Sequence, residues 1–284
     1  MKINELLSNG YNTLKEANVE SYMIDCNLLL CHVLNVDKVY IILNKEKEIE
    51  EDKTTQFLKL IKLRAEKMPI KYITRNTEFM GLDFKVEQGV LIPRPDTEVL
   101  VEECIKIITK NNFKDICDVC CGSGAIGLSV AYYIKNATVK LYDISDTALK
   151  VTEENIKNLD LDKRCFREYS DLLKKAKEDN LKFDMIISNP PYIRKEVIPT
   201  LMEDVKNYEP HLALDGGDDG LDFYKRITKE SYKILNCGGY LAFEIGHDQK
   251  DDVTKILEEN KFENIYSLKD LYNNDRVVIG QKQL

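Results

Sequence analysis

From residue 116 onward, short apolar runs alternate with segments of helical periodicity, and this rhythm leaves few folds open. Strands are expected at 116–120, 139–142, 183–188, 240–245 and 276–280, and helices at 125–134, 147–159, 221–235 and 249–259. Alternation of this kind implies an α/β fold, a mostly parallel sheet covered by helices on both faces. Ligands in such sheets bind beyond the carboxyl ends of the strands. The front of the chain differs. Leu6, Leu7, Tyr11 and Leu14 recur at helical spacing, as do Ile24, Leu28 and Cys31, and then Phe57, Leu60 and Ile61. Ser21 and Asp52 are expected to cap the second and third of these helices. Residues 78–92, punctuated by Gly81 and Gly89, suggest a hairpin. The expected organisation is a helical domain over 1–75, a hairpin linker over 76–95 and the α/β domain over 96–284.

The run 184–188 stops at Asn189-Pro190-Pro191-Tyr192. Two consecutive prolines fix φ and remove two backbone donors, so a strand cannot continue through them. The Asn189 amide oxygen, the Pro190 carbonyl and the Tyr192 ring are then presented at a strand's carboxyl end. Two acceptors beside an aromatic face suit a planar group bearing an NH2, either a carboxamide or a nucleobase amine. A plain turn is the competing reading, since Asn-Pro marks turns generally.

A glycine loop, Asp118 to Gly127, joins the first expected strand to its helix. Gly122, Gly124 and Gly127 fit the dinucleotide-binding spacing, with Asp143 about twenty residues on. A nicotinamide- or flavin-dependent oxidoreductase therefore competes. Against it, Asp118 ahead of the glycines would meet a pyrophosphate with a repelling carboxylate, and the Asn189–Tyr192 segment would have no task. S-adenosylmethionine satisfies both features: it carries cationic groups for Asp118, ribose hydroxyls for Asp143, and an adenine that Asp171-Leu172-Leu173 can wall.

Composition narrows the partners. The net charge is −8 with Lys and Arg scattered, whereas a surface gripping nucleic acid through phosphates carries a basic stripe. No direct nucleic-acid partner is expected. The first residues lack an apolar signal region and the apolar runs are short, so neither secretion nor a membrane span is expected and a cytoplasmic location is. The eight cysteines then default to reduced thiols. Cys117 and Cys120 are read on one strand, where positions i and i+3 face oppositely, and no second pair follows at zinc spacing; no metal is expected. His32, His211 and His247 are far apart in the chain.

These motifs, in this order, resemble the release factor glutamine N5-methyltransferases (the HemK/PrmC family). Asn189-Pro190-Pro191-Tyr192 matches the family's substrate-amide motif, and Leu91-Ile92-Pro93-Arg94-Pro95-Asp96-Thr97-Glu98 is similar to the segment entering its catalytic domain. Pro69-Ile70-Lys71-Tyr72-Ile73, Tyr208-Glu209-Pro210 through Gly217, Phe243-Glu244-Ile245-Gly246 and Asp275-Arg276-Val277-Val278 extend the match along the chain. The resemblance implies a Rossmann-like class I S-adenosylmethionine-dependent methyltransferase sheet behind an N-terminal helical domain that docks the substrate. It implies a monomer acting on peptide-chain release factors, with S-adenosylhomocysteine as product. Asn189, Pro190 and Tyr192 are the implied catalytic residues, with Pro191 and Arg94 also touching substrate. Asp118, Cys120, Cys121, Gly122, Ser123, Gly124, Asp143, Asp171, Leu172 and Asn189 are the implied cofactor residues. Two departures stand out: Cys120-Cys121 replaces a common Gly-Thr, and Leu172 replaces a frequent aromatic.

Asp96 and Glu98 admit an acid/base reading as well as a helix-capping one, and Arg94 either a substrate contact or an ion pair. DNA amino-methyltransferases, ribosomal RNA guanine-N2 methyltransferases and ribosomal-protein glutamine methyltransferases share the Asn/Asp-Pro-Pro-aromatic pattern. A non-catalytic scaffold is the reading from outside enzymology.

Overall fold

The structure, a computed structural model, describes residues 1–283. It divides into two compact units, 1–76 with 202–208, and 77–201 with 209–284.

The first unit is helical: α1 (Ile3–Glu16), α2 (Tyr22–Leu34), α3 (Lys38–Leu43), α4 (Glu51–Ala65) and α5 (Ile70–Thr74). Ile3, Leu6 and Leu14 of α1 are fully buried against Leu29 and Leu30 of α2 and Phe57 of α4. At Gly10 a Cβ would stand 2.5 Å from the Cys26 sulfur, so only glycine lets α1 and α2 approach this closely. Buried Asp25 of α2 accepts from Arg64 of α4 at 2.7 Å. Ser21 does precede α2, yet its hydroxyl bonds the Asp25 carboxylate rather than the helix backbone. Asp52 sits inside the first turn of α4, whose N-cap is Glu50. The later segment 202–208 clusters with this unit, and the Tyr208 hydroxyl donates to the Glu66 carbonyl.

The second unit opens with a hairpin, β1 (Asn76–Phe79) and β2 (Leu82–Lys85), then α6 (Glu98–Asn111). The alternation follows: β3 (Asp115–Val119), α7 (Ala125–Tyr133), β4 (Thr138–Asp143), α8 (Asp146–Asn158), β5 (Cys165–Tyr169), α9 (Lys174–Glu178) and β6 (Phe183–Ser188). After α10 (Glu203–Tyr208) come α11 (Asp222–Ile234), β7 (Leu235–Glu244), α12 (Lys250–Glu259), β8 (Phe262–Lys269) and β9 (Asp275–Lys282). Seven strands pair in the order β5-β4-β3-β6-β7-β9-β8, and β9 alone runs antiparallel to its neighbours. Two strands carry no readable pattern in sequence. In β5 only Cys165 is buried, and in β8 only Phe262, because each is an edge strand with most side chains toward water.

Successive residues of the inner strands supply opposite layers, as the pleat requires. Ile116, Met185, Ile187 and Ala242 join the layer of α6 and α7, while Cys117, Ile186, Leu241 and Phe243 join that of α11 and α12. The chain leaves β3 toward β4 and β5, then returns to β6 on the other side of β3. At that reversal the carboxyl ends of β3 and β6 open a crevice, the usual ligand position in an open α/β sheet.

Candidate active site

A cavity of about 380 Å³ occupies this crevice, within the range of small-molecule sites. It is walled by the glycine loop after β3, the ends of β4 and β6, the segment before α6, and residues 210–213. Cys120, Cys121, Gly122, Ser123, Asp143, Asp171, Leu172, Asn189, Pro191 and Arg94 all line it. Asp118, Gly124, Pro190 and Tyr192 do not.

Asp118 departs most from expectation. Its carboxylate is fully buried beneath α7 and accepts the Gly127 N–H at 2.8 Å. Burial pushes its pKa up to about 7, opposed by that hydrogen bond. It does not line the cavity, and its hydrogen bond secures the turn into α7. Gly127 makes the approach possible, since a Cβ there would lie 2.9 Å from the Asp118 Cβ. Of the glycine motif, this third position serves helix–strand packing.

Asp143 does face the cavity. Its Oδ2 accepts the Gly122 N–H and its Oδ1 the Ser145 N–H, each at 2.9 Å, so the carboxylate is rigid yet keeps lone pairs for a ligand. Burial raises its pKa while these backbone donors oppose the shift. Cys120 lies past the end of β3, not on it, and adopts φ +60°, the left-handed region that glycine occupies freely. A cysteine where the resemblance leads one to expect glycine thus carries a backbone cost of about 1–2 kcal/mol. Cys117 and Cys120 share no strand, and the described residues contain no cluster able to hold a metal ion.

Asn189 directly follows β6 at the cavity wall, and its amide has no hydrogen-bond partner among the described residues. Pro190 and Pro191 behind it are buried. Tyr192 packs against the α11–α12 layer, with its hydroxyl 3.5 Å from Glu244 Oε1. Arg94 pairs with buried Glu209 at 2.5 Å, which is the ion-pair reading, while its guanidinium stays partly exposed on the cavity wall. Glu98 and Asp96 are engaged elsewhere: Glu98 accepts the Met80 N–H at 2.7 Å, tying α6 to the hairpin turn, and Asp96 pairs with Arg276 at 3.3 Å. Neither is placed as an acid or base at the cavity.

Several wall residues escaped the sequence reading. Ile144 follows Asp143 directly and could have been inferred from adjacency. Phe223 on α11 had no such signal, because its place in the wall shared with Leu172 and Asp171 depends on how α11 docks. Arg226, one turn on, pairs with Asp171 at 2.8 Å across the same wall. Phe223 supplies an aromatic surface in the cavity whose wall has Leu172 in place of the frequent aromatic.

Residues 5–74 match the family model described as PrmC N-terminal domain, and residues 95–217 match Methyltransferase small domain. A protein of Clostridium acetobutylicum named release factor glutamine methyltransferase is 53% identical over 280 residues, covering 99% of this chain and 98% of the relative. One of the same name from Clostridium botulinum is 50% identical over 282 residues, covering 99% and 100%. Among solved structures, the T. Thermophilus 16S rRNA N2 methyltransferase (RsmC), in complex with AdoMet and guanosine, superposes with a TM-score of 0.53 at 16% identity, covering 73% of this chain and 50% of that one. At that identity the likeness concerns the fold.

Proposed function

Because the chain belongs to the release factor glutamine methyltransferase (HemK/PrmC) family, we propose that it transfers a methyl group from S-adenosylmethionine to the side-chain amide nitrogen of the glutamine in the Gly-Gly-Gln motif of class I peptide-chain release factors. The observation that carries this reading is the Asn189 amide, at the carboxyl end of β6 and unpartnered on the wall of the cavity. When bound, S-adenosylmethionine supplies an electrophilic methyl on a sulfonium and leaves as S-adenosylhomocysteine. The wall suits it: Asp143 offers acceptors for two vicinal hydroxyls, and Ile144, Leu172 and Phe223 offer an apolar slot for a flat base.

An amide nitrogen is a poor nucleophile because its lone pair is delocalised into the carbonyl. Asn189 Oδ1 and the Pro190 carbonyl would each accept one N–H of the substrate amide. Two fixed acceptors favour pyramidal nitrogen and aim its lone pair, which is orientation catalysis. They also stabilise the positive charge that develops on nitrogen. The N-methylated cationic amide is strongly acidic, so its proton can be lost late and no dedicated base is required.

In this proposal 96–284 carries the chemistry, the hairpin over 76–95 enters it, and the helical domain over 1–75 docks the body of the release factor. The protein acts as a cytoplasmic monomer without a nucleic-acid partner. No helix among the described residues is long and apolar enough to cross a membrane. The test is incorporation of labelled methyl from S-adenosylmethionine into a purified class I release factor. Incorporation that vanishes when the motif glutamine is changed to alanine is the expected result. Absence of incorporation, or incorporation that survives the change, refutes it.

A further inference from the structure

Buried Gln249 has no place in the chemistry above, yet every hydrogen-bonding group on its side chain is used. It is 1% exposed and precedes α12 as its N-cap. Its Oε1 accepts the Gly246 N–H at 2.9 Å and the Tyr224 hydroxyl at 3.4 Å. Its Nε2 donates to the Tyr192 carbonyl at 3.0 Å and to the Gly220 carbonyl at 3.1 Å. One amide thereby joins the loop after β6, the loop before α11 and the turn after β7. Gly220 has φ +74°, and a Cβ there would fall 2.6 Å from the Tyr192 oxygen and 2.7 Å from Gln249 Nε2.

We propose that Gln249 is the positioning residue of the amide-binding segment, holding Asn189 and Pro190 in register by clamping the Tyr192 carbonyl. The segment 189–192 is anchored upstream by the β6 ladder, where Ser188 pairs with Val119 and Phe243. Its two prolines fix φ at 190 and 191, so its remaining freedom lies in ψ and in φ at Asn189 and Tyr192. Pinning the carbonyl of Tyr192 closes the far end. Only a primary amide of this length meets the demand for two donors and an acceptor at one point. A glutamate brings no N–H, and an asparagine falls one methylene short. The assignment rests on the reading of Asn189 and Pro190 as the amide-binding pair.

Gln249→Asn and Gln249→Glu test it. Asparagine is a good N-cap, so α12 keeps its start while the bridge is lost. For folded protein, kcat on the release factor is expected to fall about tenfold or more in both, as small misplacements of reacting groups do. Affinity for S-adenosylhomocysteine should stay within about threefold, since Gln249 does not line the cavity. The glutamate variant carries a further signature. Burial raises its pKa, so lowering the pH from about 8 to about 6 protonates it and restores one donor toward the two carbonyls. Its rate relative to wild type should rise over that window while the asparagine variant's ratio stays level. Wild-type kcat in either folded variant, a loss that tracks cofactor affinity or folded fraction, or a flat ratio for the glutamate variant overturns the proposal. A wild-type enzyme that fails to methylate the release factor instead refutes the functional reading itself.

Discussion

Gly216 offers the sharpest probe of how the amide-binding segment is held. It lies in the loop before α11, donates its N–H to the Ile193 carbonyl at 2.9 Å, and has no left-handed backbone to excuse the absence of a side chain. Its reason is proximity: a Cβ would stand 2.7 Å from the Tyr192 Cα, 2.8 Å from the Tyr192 carbonyl carbon and 2.9 Å from the Pro191 oxygen. All three are backbone atoms, so no side chain can rotate aside. Ordinary contact begins at 3.4 Å, so Gly216→Ala must drive the loops apart by about 0.7 Å. Overpacking of this kind costs about 1–3 kcal/mol, a fall of about 5 °C in Tm. Because the prolines transmit the push toward Asn189, kcat should drop about tenfold to a hundredfold, with cofactor affinity nearly unchanged. Gly239→Ala is the control. Its Cβ would meet the Asp184 carbonyl at 2.8 Å, at the opposite end of β6, so it should cost comparable stability and leave kcat per folded enzyme intact. The assay is the initial rate of labelled methyl transfer at saturating substrates, with thermal unfolding measured alongside. Wild-type kcat in the Gly216 variant, or an equal loss in the Gly239 variant, refutes the reasoning.

Asn189→Ala should lower kcat by about a hundredfold or more with cofactor affinity barely changed, since the lost acceptor acts at the transition state; an equal loss of S-adenosylhomocysteine affinity in calorimetry would mean that Asn189 mainly holds the cofactor. Glu244 governs a pH dependence of stability. It is 1% exposed, and burial lifts its pKa from 4.5 to about 7 despite nearby Arg276, with Asp96 adding to the rise. A carboxyl raised on folding stabilises the folded state fully below its unfolded pKa, and that contribution is lost as pH rises toward 7. The span corresponds to about 3 kcal/mol. Glu244→Gln should match wild type near pH 5 and exceed it by up to about that amount at pH 8 in urea unfolding; parallel curves would rule this out.

The sequence by itself determined the α/β alternation, the crevice between the glycine loop and Asn189-Pro190-Pro191-Tyr192, and a planar NH2-bearing group as the kind of partner that suits this segment. Those features are legible because they are local: periodicity follows burial on one face, and prolines and glycines act on their own backbone. Asp143 was singled out for the same reason, one residue class at one strand end, and it lines the cavity. What tertiary structure alone decided lies in contacts between distant segments. Asp118 looks like a ligand in the string of residues, but α7 closes over it and the Gly127 N–H takes its carboxylate. Phe223 reaches the cavity that Leu172 lines only because α11 docks against that layer, and the edge strands β5 and β8 are strands only because a neighbour offers them a ladder. Gly216 and Gln249 are ordinary residues until the loops from 189, 216 and 246 converge on the Tyr192 carbonyl. Position in sequence carries no information about such convergence, because the hydrogen bonds that impose it form only when the sheet has brought those loops to one end.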